Sequence, residues 1–144
     1  MDLPPKIAQN YADKRGAVVH TNVGTLINVN HGKFILVLKN IGGRVGYCVI
    51  NSDIYGQDPE SNIKIDVNDQ PVLTNEDCPA LSHEKSYVNC ANVKLIDEAV
   101  LKAKIVSGDF QLEGVVDESR LQVVLARGQA CKVLKPFQRQ YFDP

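Results

Sequence analysis

Short apolar runs separated by turn residues constrain the fold of this chain more than any other feature of its sequence. Two of these runs, residues 34–38 and 45–50, are apolar at nearly every position instead of every second one. A strand with that pattern is buried on both faces of a sheet. Gly42 and Gly43 lie between the two runs, and such a pair marks a tight turn. The sequence therefore predicts an antiparallel hairpin at the centre of a sheet.

Further strands are predicted on either side of this hairpin. Residues 25–30 and 63–67 alternate apolar and polar side chains, which is typical of a strand with one solvated face. Residues 17–22 are rich in β-branched side chains, and two short segments, 86–90 and 93–96, are predicted as closing strands. Gly46 interrupts the second apolar run and predicts a bulge, which helps a small sheet to curl. Many short strands with turns between them favour an antiparallel barrel.

The pattern becomes helical after residue 97. Asp97 is the expected N-cap of a first helix that ends at Gly108, and Asp117 is the expected N-cap of a second that ends at Gly128. Pro136 suits the first position of a last short helix. We therefore predict a mostly β fold of the α+β class, a small antiparallel β-barrel with short C-terminal helices.

The length of 144 residues corresponds to one domain. We expect residues 1–144 to form a single domain, with a β-barrel core at 16–96 and a helical extension at 97–144. No apolar run approaches the roughly 20 residues that span a bilayer, and the start of the chain lacks the pattern of a secretory signal. We expect a cytoplasmic protein that does not contact a membrane.

The four cysteines form no closely spaced pair, so reduced, buried thiols are expected. Cys78, His83 and Cys90 are near each other in the sequence, but they lack the tight spacing of structural zinc ligands. We expect neither a metal nor another cofactor.

The net charge of −1 hides an uneven distribution. Residues 1–50 hold six Lys/Arg against two acids, residues 51–119 hold five against fourteen, and residues 120–144 hold five against one. If the two basic ends meet in space, they form a positive face that attracts phosphates. The alternative is an ordinary solvated surface of mixed charge.

Four segments together resemble the MazF/PemK-like family of toxin–antitoxin ribonucleases. They are GAVV at residues 16–19, KFILVL at 33–38, CVINS at 48–52 and HEKSYVNC at 83–90. The resemblance covers roughly residues 16–96 and points to a divergent branch. It implies an SH3-like barrel, a homodimer, metal-independent cleavage of single-stranded RNA and an antitoxin partner. The family's catalytic arginine is not evident here, and His31 and Lys33 stand near its place.

RNA cleavage without a metal needs a base for the 2′-hydroxyl, an acid for the leaving oxygen and a cation for the developing phosphate charge. With the resemblance, this chemistry singles out His31, Lys33, Ser52 and His83 as catalytic candidates. Candidate substrate-binding residues are Arg44, Asn51, Lys85 and Ser86.

Each of these candidates also has a structural interpretation. Polar residues in turns need no function, Ser52 suits a loop cap, and Arg44 suits a solvated turn. The alternative for the whole chain is a non-catalytic barrel module that binds nucleic acid or a protein partner.

Overall fold

The computed structural model of the chain describes residues 3–21, 32–57, 62, 64–81 and 83–144. Within them, one antiparallel sheet of seven strands forms the centre of the molecule. The strands are β1 (Ala17–Thr21), β2 (Lys33–Ile41), β3 (Arg44–Asn51), β4 (Val72–Thr74), β5 (Lys85–Val88), β6 (Lys94–Asp97) and β7 (Phe110–Val115). Their order is β4-β5-β3-β2-β1-β7. β6 also pairs with β3, at residues 44–47, whereas β5 pairs with residues 50 and 51 of the same strand.

The helices precede and follow most of the sheet along the chain. They are α1 (Pro5–Ala8), α2 (Glu98–Ser107), α3 (Glu118–Ala130) and α4 (Pro136–Arg139), with 3-10 turns at Val67–Asp69 and Gln140–Phe142. The predicted fold class is confirmed: the protein is α+β and strand-rich, with a small curled antiparallel sheet and short C-terminal helices. No helix in the described residues has the length and apolar character needed to cross a membrane.

The central hairpin of β2 and β3 is buried on both faces, as its two apolar runs predict. One face packs against α1, α2 and β7, and its fully buried side chains include Val19, Ile35, Val37 and Leu101. The opposite face packs against α3 and the C-terminal 3-10 turn, and its fully buried side chains include Val18, Leu36, Cys48, Val124 and Phe142. The sheet is thus the middle layer of two hydrophobic cores.

A bulge in β2 bends the hairpin. The register shifts between Val37 and Lys39, opposite Gly46, so Leu38 has no direct partner on β3. Its carbonyl instead accepts a hydrogen bond of 2.7 Å from Nε of Arg15. The same guanidinium donates to the carbonyl of Tyr141 at 3.0 Å. Arg15 therefore joins the bulge to the C-terminal 3-10 turn, and the bend that Gly46 predicts is present.

Two of the strand predictions need correction or lie outside the described residues. Residues 63–67 were expected to form a strand, but Lys64 makes only an isolated bridge to Gln57, and Val67 begins a 3-10 turn. The reason is local: the Asp66 side chain accepts from the backbone N–H of Asn68 and starts that turn. The strand expected at 25–30 lies outside the described residues.

The sheet also continues beyond residue 96. β7 lies inside the segment expected to be a helical extension, and it pairs along the whole of β1. Barrel core and extension are therefore joined by strand pairing as well as by packing.

The helix ends agree only in part with the sequence. Gly108 ends α2 in the left-handed conformation, with φ of 85°, as expected. Asp97 stands at the N-cap position of α2, but its side chain makes no capping hydrogen bond and pairs with Arg44 instead. Gly128 does not end α3, which continues to Ala130. It is required for space, because a Cβ at this position would overlap the ring of Phe142.

We predict that Gly128→Ala destabilises the protein. Alanine favours a helix over glycine by about 1 kcal/mol, but the overlap with the buried Phe142 ring costs about 1–3 kcal/mol. The free energy of unfolding, measured by urea denaturation, should therefore fall. In a Phe142→Leu background the same substitution should cost much less. A stabilising effect of Gly128→Ala in the wild-type background would contradict the close packing of these two residues.

Candidate active site

Lys33 and Asn51 meet where two central strands end. Lys33 is the first residue of β2 and Asn51 the last of β3, and the pairing of Phe34 with Ile50 sets them side by side. The Lys33 Nζ donates a hydrogen bond of 3.2 Å to Oδ1 of Asn51. Asn51 is buried and Lys33 half-buried. The last residue pair of the hairpin is thus polar, whereas the next three pairs along it are apolar.

Thr21 fixes the backbone of Lys33. Its hydroxyl donates to the Lys33 carbonyl and accepts from the Lys33 N–H, both at 2.9 Å. Thr21 is fully buried and pairs with Lys33 across β1 and β2. The position of the lysine therefore depends on a hydroxyl group that only Ser or Thr supplies at this point in a strand.

Burial lowers the pKa of Lys33. Water is partly removed from the ammonium group, and this disfavours its charged form. In the described part of the chain, the Lys33 Nζ hydrogen-bonds only to the neutral amide of Asn51, which adds no counter-charge. An anion at this end of the sheet would supply that missing charge.

Three more candidates lie near this pair: Ser52 follows Asn51 directly, and Lys85 and Ser86 belong to β5. Asn51 pairs with Tyr87 of β5, and since the strands are antiparallel, Ser52 and Ser86 are each one residue beyond that pair. Ser52 is exposed at the start of the loop after β3. Ser86 is buried and pairs with Leu73. Lys85 is exposed at the start of β5. We refer to Lys33, Asn51, Ser52, Lys85 and Ser86 as the strand-end site.

The other candidates lie elsewhere. His83 is exposed, two residues before β5 begins and four residues from Tyr87. Arg44 is at the opposite end of β3, about 24 Å from Asn51 at about 3.4 Å per residue. Its Nε lies 3.5 Å from Oδ1 of Asp97, and both side chains are about two-thirds exposed. Arg44 is therefore not part of the strand-end site. His31 lies outside the described residues.

Sequence reasoning did not single out Thr21 or His20. His20 is half-buried, and its ring centroid is 4.7 Å from that of Phe34. It also borders Gly32: a Cβ there would lie 3.2 Å from two imidazole atoms and would overlap the carbonyl oxygen of Thr21. Because Gly32 has no side chain, the end of β1 can pack directly against its backbone, next to Lys33. His20 and Thr21 are the last two residues of the apolar strand β1. Nothing in the sequence pattern distinguishes them from the rest of that strand.

The four cysteines are free and buried, in agreement with the sequence. Among the described residues, no three His, Cys, Asp or Glu side chains are grouped so that they could hold a metal ion. No known family matches this chain, and no curated protein matches it either.

We predict that Lys33 titrates at lower pH than an ordinary solvated lysine. The cause is its partial burial, which lowers the pKa of the ammonium group. Because the unfolded chain then binds more protons between the folded and unfolded pKa values, the contribution of Lys33 to stability rises with pH in that window. NMR of ¹³C-dimethylated lysines measures the titration of Lys33.

Two controls accompany this titration. Asn51→Ala removes the hydrogen bond to the charged form and should lower the pKa of Lys33 further. Lys33→Ala identifies the resonance by its disappearance. Titration of Lys33 at the ordinary pKa of a solvated lysine would contradict the burial of the ammonium group.

Proposed function

We propose that this protein is a MazF/PemK-like toxin, a metal-independent endoribonuclease that acts on single-stranded RNA and is paired with an antitoxin. The observation that carries the proposal is the contact between Lys33 and Asn51 at neighbouring strand ends, with Ser52 directly after Asn51. These three residues belong to two of the segments on which the resemblance to the family rests.

The proposed reaction is an attack of the 2′-hydroxyl on the adjacent phosphorus. The P–O bond to the 5′ oxygen breaks, and a 2′,3′-cyclic phosphate and a 5′-hydroxyl are formed. Lys33 stabilises the negative charge that develops on the phosphate oxygens. Thr21 holds the Lys33 backbone and Asn51 accepts a hydrogen bond from its ammonium group before substrate arrives, so little reorganisation is needed. Ser52 donates a hydrogen bond to the same phosphate.

Histidine supplies the acid and base in this proposal, because its ordinary pKa lies near neutrality. His31 and His83 take these roles as the sequence predicts. His83 is exposed near the start of β5, where an RNA strand that crosses the strand-end site would pass. The protein acts in the cytoplasm as a homodimer, as the resemblance implies.

The second candidate function is a non-catalytic module that binds nucleic acid or a protein partner. It is favoured by the position of Arg44, which is paired with Asp97 at the far end of β3. The strand-end site therefore presents lysines, which attract a phosphate but lack the bidentate fork of arginine. Such a module would bind RNA with an affinity that falls steeply with salt, and it would form no product.

We predict that the purified protein cleaves a single-stranded RNA oligonucleotide in the presence of a chelator. The product should carry a 2′,3′-cyclic phosphate, which mass spectrometry identifies. Lys33→Ala should lower the rate about 10²–10³-fold, the usual loss when one donor to a developing oxyanion is removed. Lys33→Arg should retain activity, because it keeps the charge.

The matched control is Lys39→Ala, on the same strand but six residues from the site. It should cleave at the wild-type rate, and circular dichroism should show that each variant is folded.

In cells, expression should arrest growth, and His31→Ala or His83→Ala should relieve the arrest. Intact RNA together with normal growth would refute the ribonuclease; salt-dependent binding without product would identify the binding module instead.

A further inference from the structure

A second cationic region lies in a groove between two segments outside the sheet. One side is formed by Gly56 and by residues 64–69, and the other by the end of α3 with the residues that follow. The groove has a volume of about 550 Å³. Three of its lining side chains are the exposed cations Lys64, Arg127 and Lys132. Within the described residues none of the three side chains donates a hydrogen bond or forms an ion pair. We call this the cation groove.

The two carboxylates of the cation groove already have partners. Asp66 accepts a hydrogen bond of 2.9 Å from the backbone N–H of Asn68. Asp69 lies against Cys131: burial raises the pKa of that thiol to about 11, and the charge of Asp69 and a hydrogen bond to it add to the shift. Asp66 thus bonds within its own segment, whereas Asp69 contacts the residue that follows α3. Among the lining residues that the structure describes, three cations face two carboxylates.

Stabilisation of α3 does not account for these cations. Basic side chains at the end of a helix often bind its last carbonyl groups. Here Arg139 donates to the carbonyl of Cys131, the C-cap residue of α3, at 3.0 Å, and to that of Leu134 beyond the helix at 3.1 Å. Within the described residues, Arg127 and Lys132 donate no hydrogen bond to these carbonyl groups, and both line the groove.

The cation groove is joined to the strand-end site by a short loop. Gly56, which lines the groove, follows Asn51 by five residues, so their Cα atoms are at most about 19 Å apart. The loop is held to the 3-10 turn by Gln70, whose amide donates to the Tyr55 carbonyl at 2.7 Å and accepts from the Tyr55 N–H at 2.9 Å. A strand of nucleic acid is long enough to occupy both places.

We propose that the cation groove binds phosphate groups through Lys64, Arg127 and Lys132. An arginine fork and two ammonium groups suit a phosphate, which offers several oxygens to separate donors. The volume is that of a typical small-ligand site. The phosphate groups belong either to a polynucleotide backbone or to a free phosphate compound. The proposal does not depend on RNA cleavage, because a backbone is bound here whether or not it is cut elsewhere.

The test uses the ¹⁵N-labelled full-length protein and two probes, pyrophosphate and a short single-stranded oligonucleotide of 2′-O-methyl RNA. The methyl groups block attack by the 2′-oxygen, so binding is measured without cleavage. We expect the amide resonances of Gly56, Asn68 and Ala130 to shift. A triple variant, Lys64→Gln with Arg127→Gln and Lys132→Gln, should bind the oligonucleotide at least about tenfold more weakly. Its salt dependence should fall by a slope of about 2, at about 0.7 per phosphate contact.

The matched control replaces Lys6, Lys14 and Lys104 by Gln, which removes the same charge from the side of α1 and α2. It should bind almost as tightly as the wild type. Shifts of the groove resonances by the oligonucleotide alone identify a polynucleotide as the ligand, by pyrophosphate alone a free phosphate compound, and by both a general phosphate site. No shift with either probe at millimolar concentration, or equal losses in the two triple variants, would overturn the proposal.

Discussion

Burial of β2 and β3 on both faces is the constraint on which the rest of this structure depends. A sheet whose central strands are apolar on both sides must be covered twice, and the chain does so with α1 and α2 on one face and with α3 and the C-terminal 3-10 turn on the other. Polar chemistry then has no room along the middle of these strands. It is confined to their ends and to the loops that leave them, which is where Lys33, Asn51 and Ser52 lie. The position of the candidate site thus follows from the packing of the core.

The sequence predicted those parts of the fold that local physics decides. Consecutive apolar residues gave the central hairpin, and a positive φ that favours glycine ends α2 at Gly108. Prediction from the sequence failed where a contact with a residue far away in the chain determines the local structure. Gly128 reads as a helix end, but it lies within α3 under the ring of Phe142, which no local pattern reveals. Residues 110–115 lie in the expected helical extension, and no local pattern reveals that they join the sheet, because their partner β1 is far away in the sequence. Asp97 reads as a cap, but Arg44 from another turn holds its carboxylate.

The candidate site shows the same division. Residue types and the resemblance were enough to select Lys33 and Asn51, because amine and amide groups at strand ends suit phosphate chemistry. The contact between them depends on strand register, and register is not written in either segment alone. Thr21 escaped notice because a threonine at the end of a β-branched run is ordinary; its role exists only through the backbone of the neighbouring strand. The half-buried ammonium group, with its lowered pKa, is likewise a property of the assembled sheet.

The pairing of β1 with β7 has a consequence for how the chain is made. Thr21 pairs with Phe110, so almost the whole sheet is synthesised before the outer edge of β1 finds its partner. At about 5–20 residues per second, the intervening stretch of roughly 90 residues takes on the order of 5–20 s to leave the ribosome. During that time the nascent chain carries an open strand edge, which is a template for pairing with other chains. Aggregation during expression therefore depends on this interval as well as on the stability of the finished fold.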